Sequence, residues 1–228
     1  AHLSNVECFW GNIEKIGGAI SVATSMAVSK VAAKLENLEL FQYLGKRKKY
    51  VLPTPIGKCI GGGAHAKSST KIQEFLSIPF GTEIFKEKVG LNRRIHDKVR
   101  KLLHEKLGKY KERKDLEGGW IDDITDDFAL QILSEAVSDL GWVAYVGVDV
   151  AATNLYRKGS YLYKNHKKDK KEQFDYIEDI IRNFHVFYVE DPFDQDDFES
   201  HRELTKEFDR DCLIVGDDLF ATNPERLR

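Results

Sequence analysis

From residue 143 onward the apolar positions come in short blocks, each followed by an amphipathic stretch. The runs 143–148, 186–189 and 212–215 are almost continuously apolar, the pattern of strands buried on both faces. The segments 172–184 and 197–208 follow with helical periodicity, and Thr222-Asn223-Pro224-Glu225 starts a further helix. Upstream, 16–35 is rich in Ala, Val and Ser and reads as a closely packed helix; 40–44 predicts a shorter one ended by Gly45. Pro53 and Pro55 make 50–60 an irregular or edge strand, and 72–78 is a second strand. One or two amphipathic helices are predicted over 83–114, with Ile95, Val99, Leu102 and Leu103 on the apolar face. Another covers 126–140, aligning Leu130, Leu133, Val137 and Leu140 before Gly141. The segment 157–171 is polar and lysine-rich and predicts a surface excursion.

Alternation of strand and helix predicts a parallel α/β barrel with its helices outside. Five strands are visible where a barrel of this type closes with eight, and an open parallel sheet leaves unpaired edges. The expectation is a partial barrel. Strand C-termini in such a barrel converge on one face. Three of the apolar runs end there in an acid: Asp149, Glu190 and Asp217. A lone acid at a strand end is ordinarily a solvated terminus or a helix cap. Three in successive units make a hard-oxygen cage for a divalent cation, most naturally Mg2+.

Composition narrows the class. A net charge of −2 predicts no preference for nucleic acid or membrane surfaces. Basic stretches at 86–114, Lys46-Arg47-Lys48-Lys49 and 164–171, and acidic ones at 122–139 and 190–203, read as solvated faces. Cys8, Cys59 and Cys212 are odd in number and far apart, which fits a reduced, cytoplasmic protein and no zinc site. No signal peptide or membrane-length apolar run is visible. The chain opens on Ala1 and stops a few residues into a helix, so both ends read as cut and the 228 residues as a fragment.

Six short motifs occur in order: Gly61-Gly62-Gly63-Ala64-His65-Ala66, Gln73-Glu74-Phe75, Glu117-Gly118-Gly119-Trp120, Gly147-Val148-Asp149-Val150-Ala151-Ala152, Glu190-Asp191-Pro192-Phe193 and Asp217-Asp218-Leu219. Together they resemble enolase, the phosphopyruvate hydratase of glycolysis. The resemblance implies a small N-terminal α+β domain followed by an eight-stranded barrel whose opening strands are antiparallel. Residues 1–48 would end the first and 49–228 begin the second. It also implies Mg2+-dependent, reversible dehydration of 2-phosphoglycerate to phosphoenolpyruvate by a homodimer or larger homo-oligomer.

By the same resemblance Asp149, Glu190 and Asp217 hold the metal. Glu117 is the proton donor, and Glu74 its acidic partner near the leaving hydroxyl. His65, Gln73, Glu74, Glu190 and Asp217 line the substrate pocket. The lysine that serves as base lies beyond Arg228, so the segment alone is expected to be inactive; Lys67 and Lys71 lie near the second strand, but the words around them do not match. Two departures stand out. Gly61 replaces the usual Asn, which loosens the glycine loop, and Trp120-Ile121-Asp122 replaces an aromatic-Ala-Pro word and alters how Glu117 is presented. The alternatives are a related superfamily member acting on another carboxylate, and a non-catalytic paralogue serving as a binding or scaffold protein.

Overall fold

The computed structural model describes residues 16–45, 47, 49–66, 70–164 and 166–228, with His65 described in its backbone only. Cys8, Lys46, Lys48 and Lys67 lie outside these residues. The chain divides into two compact units, Ala1–Leu52 and Pro53–Arg228.

In the first unit α1 (Gly18–Leu35) is followed by α2 (Leu40–Gly45). Only Ser21, Ser29 and Ala33 of α1 are buried, while Ile20, Val22 and Val31 are exposed, so the closely packed helix expected from composition buries one narrow stripe.

The second unit is built on a five-stranded sheet in the order β1 (Gly57–Gly61), β2 (Glu74–Pro79), β3 (Ala144–Asp149), β7 (Val186–Glu190), β8 (Leu213–Val215). The β1–β2 and β2–β3 ladders are antiparallel, and β3–β7 and β7–β8 are parallel. Alternation alone predicts parallel pairing throughout, but the first two ladders are antiparallel: β2 turns back on β1 with no α-helix among the described residues between them, and β3 runs against β2 although two helices separate them. The sheet is open, as the strand count implied. Every β3 residue but Tyr145 is buried, as its apolar run required.

Helices α3 (Phe85–Leu107) and α4 (Asp126–Asp139) both lie between β2 and β3, α5 (Lys170–Phe184) precedes β7, α6 (Phe198–Glu207) lies between β7 and β8, and α7 (Pro224–Leu227) follows β8. The α3 stripe of Ile95, Val99, Leu102 and Leu103 is fully buried and packs beside β1, β2 and α4. Helix α3 stops at Gly108, whose φ of 64° ends the ladder, so 109–114 is irregular rather than helical. Asp169 and Glu172 form a reciprocal capping box at the start of α5.

The lysine-rich 157–171 segment is more than a surface excursion. It folds into a small antiparallel sheet, β4 (Tyr156–Arg157), β5 (Ser160–Leu162) and β6 (Lys167–Lys168). Tyr161 is wholly buried there, and its hydroxyl accepts the Asp194 N–H at 3.0 Å.

Candidate active site at the strand ends

Pairing register puts the acids in one row. Gly61 is opposite Glu74, Glu74 opposite Asp149, Asp149 opposite Glu190, and Glu190 opposite Val215. Because β2 runs against β3, the first residue of β2 meets the last residue of β3, and two distant motifs become neighbours. Asp149 is buried; its Oδ2 accepts the Gln73 side-chain amide at 3.1 Å and its Oδ1 the Ala151 N–H at 2.9 Å. Burial first, then repulsion from Glu190, Glu74 and Asp191, pushes the Asp149 carboxyl up to about 8. Glu190 is raised chiefly by burial, with the Tyr188 hydroxyl donating to it at 2.7 Å and opposing the rise.

Among the described residues, one ligand atom each from Asp149, Glu190 and Asp191 lies within 4.8 Å of the others. Asp217 is not in that group, although its charge reaches Glu190. Asp191, which sequence reasoning left without a role, explains where Asp217 sits. It adopts φ 43° at the end of β7, and its carboxylate accepts N–H bonds from Asp217 at 3.2 Å, Asp218 at 2.7 Å and Leu219 at 3.2 Å. One buried side chain thus anchors the loop after β8.

The second half of the site is an acid pair. Glu117 lies on a tight turn docked against β1: Gly61 N–H donates to Trp120 O at 2.9 Å, and Trp120 N–H to Cys59 O at 3.0 Å. Trp120 is buried, its indole donates to His96 O at 3.0 Å, and the His96 ring packs on it at 4.8 Å. Trp120, the aromatic residue that follows the Glu117 turn, therefore pins that turn to α3. Glu117 and Glu74 share one ammonium, Lys58 Nζ, at 2.5 Å and 3.1 Å. The Glu74 carboxyl is raised, first by burial and also by Glu117, with Lys58 pulling it down. Lys58 was missed in the sequence because a lysine after a proline-rich lead-in looks like an exposed edge residue.

Gln73 closes the row from behind: its N–H donates to Asp149 O at 2.9 Å and its carbonyl accepts the Gly62 N–H at 2.9 Å. A hollow of about 200 Å³ beside it is lined by Gly63, Lys71, Gln73, Ala151 and Asn154. The His65 backbone follows in a 3-10 turn, Gly63–His65. A larger hollow, about 610 Å³ among Phe80, Leu91, Arg94 and Trp142, sits at the opposite end of the strands from the acids. No described helix is long and apolar enough to cross a membrane.

An open β/α sheet with its acids gathered at one end of the strands defines the chain as a barrel-type domain with an acidic site. The family model described as "Enolase, C-terminal TIM barrel domain" matches residues 49–228. The chain is 40% identical over 221 residues to an enolase of Archaeoglobus fulgidus, covering 95% of this chain and 54% of the relative. It is 42% identical over 223 residues to an enolase of Methanocorpusculum labreanum (95% and 55%) and 40% identical over 222 residues to one of Pyrobaculum aerophilum (94% and 53%). The chain belongs to the enolase family, and it spans about half the length of the curated relatives it matches. Membership implies a divalent cation, and the acidic row fits one: its donors are all hard oxygens, and their mutual repulsion is what a cation relieves.

Proposed function

We propose that this chain carries part of the active site of an enolase that reversibly dehydrates 2-phosphoglycerate to phosphoenolpyruvate. The observation that carries the reading is the acidic row Glu74, Asp149, Glu190 with Glu117 tied to Glu74 through Lys58. Asp149, Glu190 and Asp217 are the proposed Mg2+ ligands, with Asp191 holding the Asp217 loop. When bound, the ion supplies positive charge to a substrate carboxylate as a proton leaves the adjacent carbon.

In this reading the leaving hydroxide takes a proton from Glu117, and the bond to carbon breaks as water forms. Burial and the neighbouring Glu117 hold the Glu74 carboxyl high against the pull of Lys58, and a proton shared between the two carboxyls suits them to that step. His65, Gln73, Glu190 and Asp217 would line the substrate pocket. The base is a lysine outside these 228 residues, so the isolated segment is expected to be inactive. The complete enzyme is proposed to be a cytoplasmic homodimer, with residues 1–48 closing its N-terminal domain and 49–228 opening its barrel.

The test is turnover by the full-length natural protein with Mg2+, followed by ultraviolet absorbance of the enol product. Wild type should be active and Glu117→Gln reduced about 100-fold or more. A full-length protein that binds Mg2+ but leaves 2-phosphoglycerate unchanged would sink the reading.

A further inference from the structure

Lys58 lies on β1, fifty-nine residues before Glu117, yet its ammonium meets three carboxylates: Glu117 at 2.5 Å, Asp115 at 2.8 Å and Glu74 at 3.1 Å. The Lys58 side chain is 9% exposed and that of Asp115 is fully covered, so the Lys58–Asp115 pair is the buried part of the cluster, while the Glu117 side chain is half-exposed. Asp115 also holds the turn from within: its Oδ1 accepts the Glu117 N–H at 3.0 Å and the Gly119 N–H at 2.9 Å.

Two backbone features make room for the arrangement. The β1–β2 register slips between Lys58 and Ile60, so Lys58 pairs with Leu76 and Gly61 with Glu74. Leu76 and Glu74 are two apart and share a face; the extra residue therefore brings Lys58 and Gly61 onto that same face. A β-carbon on Gly61 would stand 1.9 Å from Asp115 Oδ2, and one on Gly119 would stand 2.9 Å from Gly61 N. A side chain at 61 and the Asp115 carboxylate exclude each other. The missing side chain of Gly61 thus leaves the space that Asp115 enters.

We propose that Lys58, Asp115 and Gly61 form a clamp, with Lys58 a positioning residue that holds the Glu117 turn against Glu74. The inference rests on the enolase reading for its catalytic consequence, but the clamp itself rests on contacts. Lys58 joins the two halves of the acid pair, and Asp115 joins Lys58 to the backbone that carries Glu117. Without the ammonium, three carboxylates would face one another, and the turn would swing outward. Displacement of a reacting group by about 1 Å costs on the order of 100-fold in rate.

The experiment uses the full-length protein and three variants: Lys58→Met, Lys58→Arg and Gly61→Ala. Lys58→Met is expected to lower kcat about 100-fold with KM within about twofold. Lys58→Arg should restore part of kcat, since it keeps the charge. Gly61→Ala, which leaves every charged group in place, should also lower kcat. Amide exchange at Gly119, whose N–H is bonded to Asp115, should quicken in Lys58→Met and Gly61→Ala; that readout needs no activity. Wild-type kcat and wild-type Gly119 protection in Lys58→Met would overturn the clamp, as would equal loss in kcat and KM with no return in Lys58→Arg. If Lys58→Met does not fold, Gly61→Ala and Lys58→Arg decide the matter. If wild type does not turn over 2-phosphoglycerate, the enolase reading falls, and Gly119 exchange alone judges the clamp.

Discussion

Glu74 and Asp149 are direct partners across the antiparallel ladder of β2 and β3, seventy-five residues apart in the chain. Their carboxylates repel, and Glu190 adds a third charge from the parallel neighbour on the other side of Asp149. The protein therefore carries a built-in electrostatic cost at the strand ends that a bound cation would relieve.

Asp149→Asn should relieve that repulsion while removing a proposed ligand. In the full-length protein freed of metal by a chelator, the variant should melt about 5 °C higher than wild type. At Mg2+ a hundred times its dissociation constant, wild type should gain about 2.7 kcal/mol, and the variant almost nothing. Equal gains in both, measured by urea unfolding with and without Mg2+, would remove Asp149 from the ligand set.

Asp191 has a different role. Asp191 is 2% exposed, and its carboxylate accepts three backbone N–H groups of the loop after β8. Asp191→Ala leaves those donors unpaired and should destabilise the protein by about 3 kcal/mol; Asp191→Asn keeps an acceptor and should cost less. Urea midpoints of the two variants check the order, and a milder effect for Ala than for Asn would contradict it.

The thiols of Cys59 and Cys212 are buried, and burial pushes each up to about 12. The thiolate is the reactive form, so neither should alkylate in the native protein at pH 8. Peptide mapping after brief iodoacetamide treatment should find both unmodified natively and both modified in urea. Rapid native labelling of Cys59 would mean that β1 opens readily.

Asp126 begins α4, and its carboxylate accepts the N–H groups of Lys71 at 2.7 Å and Ile72 at 3.2 Å. Burial nonetheless holds its carboxyl above the ordinary value. The folded state then keeps this proton to a higher pH than the unfolded chain does. Its contribution to stability is fully present below about pH 4 and is lost as pH rises through the folded value. The stability of wild type minus that of Asp126→Asn should therefore fall with rising pH above about 4. Urea unfolding across a pH series would show a rising difference if the sign is wrong.

Much of the site was legible in the sequence because its chemistry sits at positions the strand pattern marks. Asp149 and Glu190 close their apolar runs and do lie side by side at the strand ends. Residues outside such positions were not legible. Asp191 follows Glu190 in the chain, but its contacts are with a loop twenty-six residues on. Tyr161 stands among lysines, yet it is buried because a small hairpin turns it toward Asp194.

By itself the sequence determined the strand–helix order, the core faces and the placing of acids at strand ends, since these follow from periodicities of two and 3.6 residues within one segment. Tertiary structure alone decided which distant residues share a charge. Lys58 reaches Glu74, Asp115 and Glu117 because β1 carries one extra residue and Gly61 lacks a side chain. A single-residue slip reverses which face a side chain takes, and neither composition nor spacing encodes it.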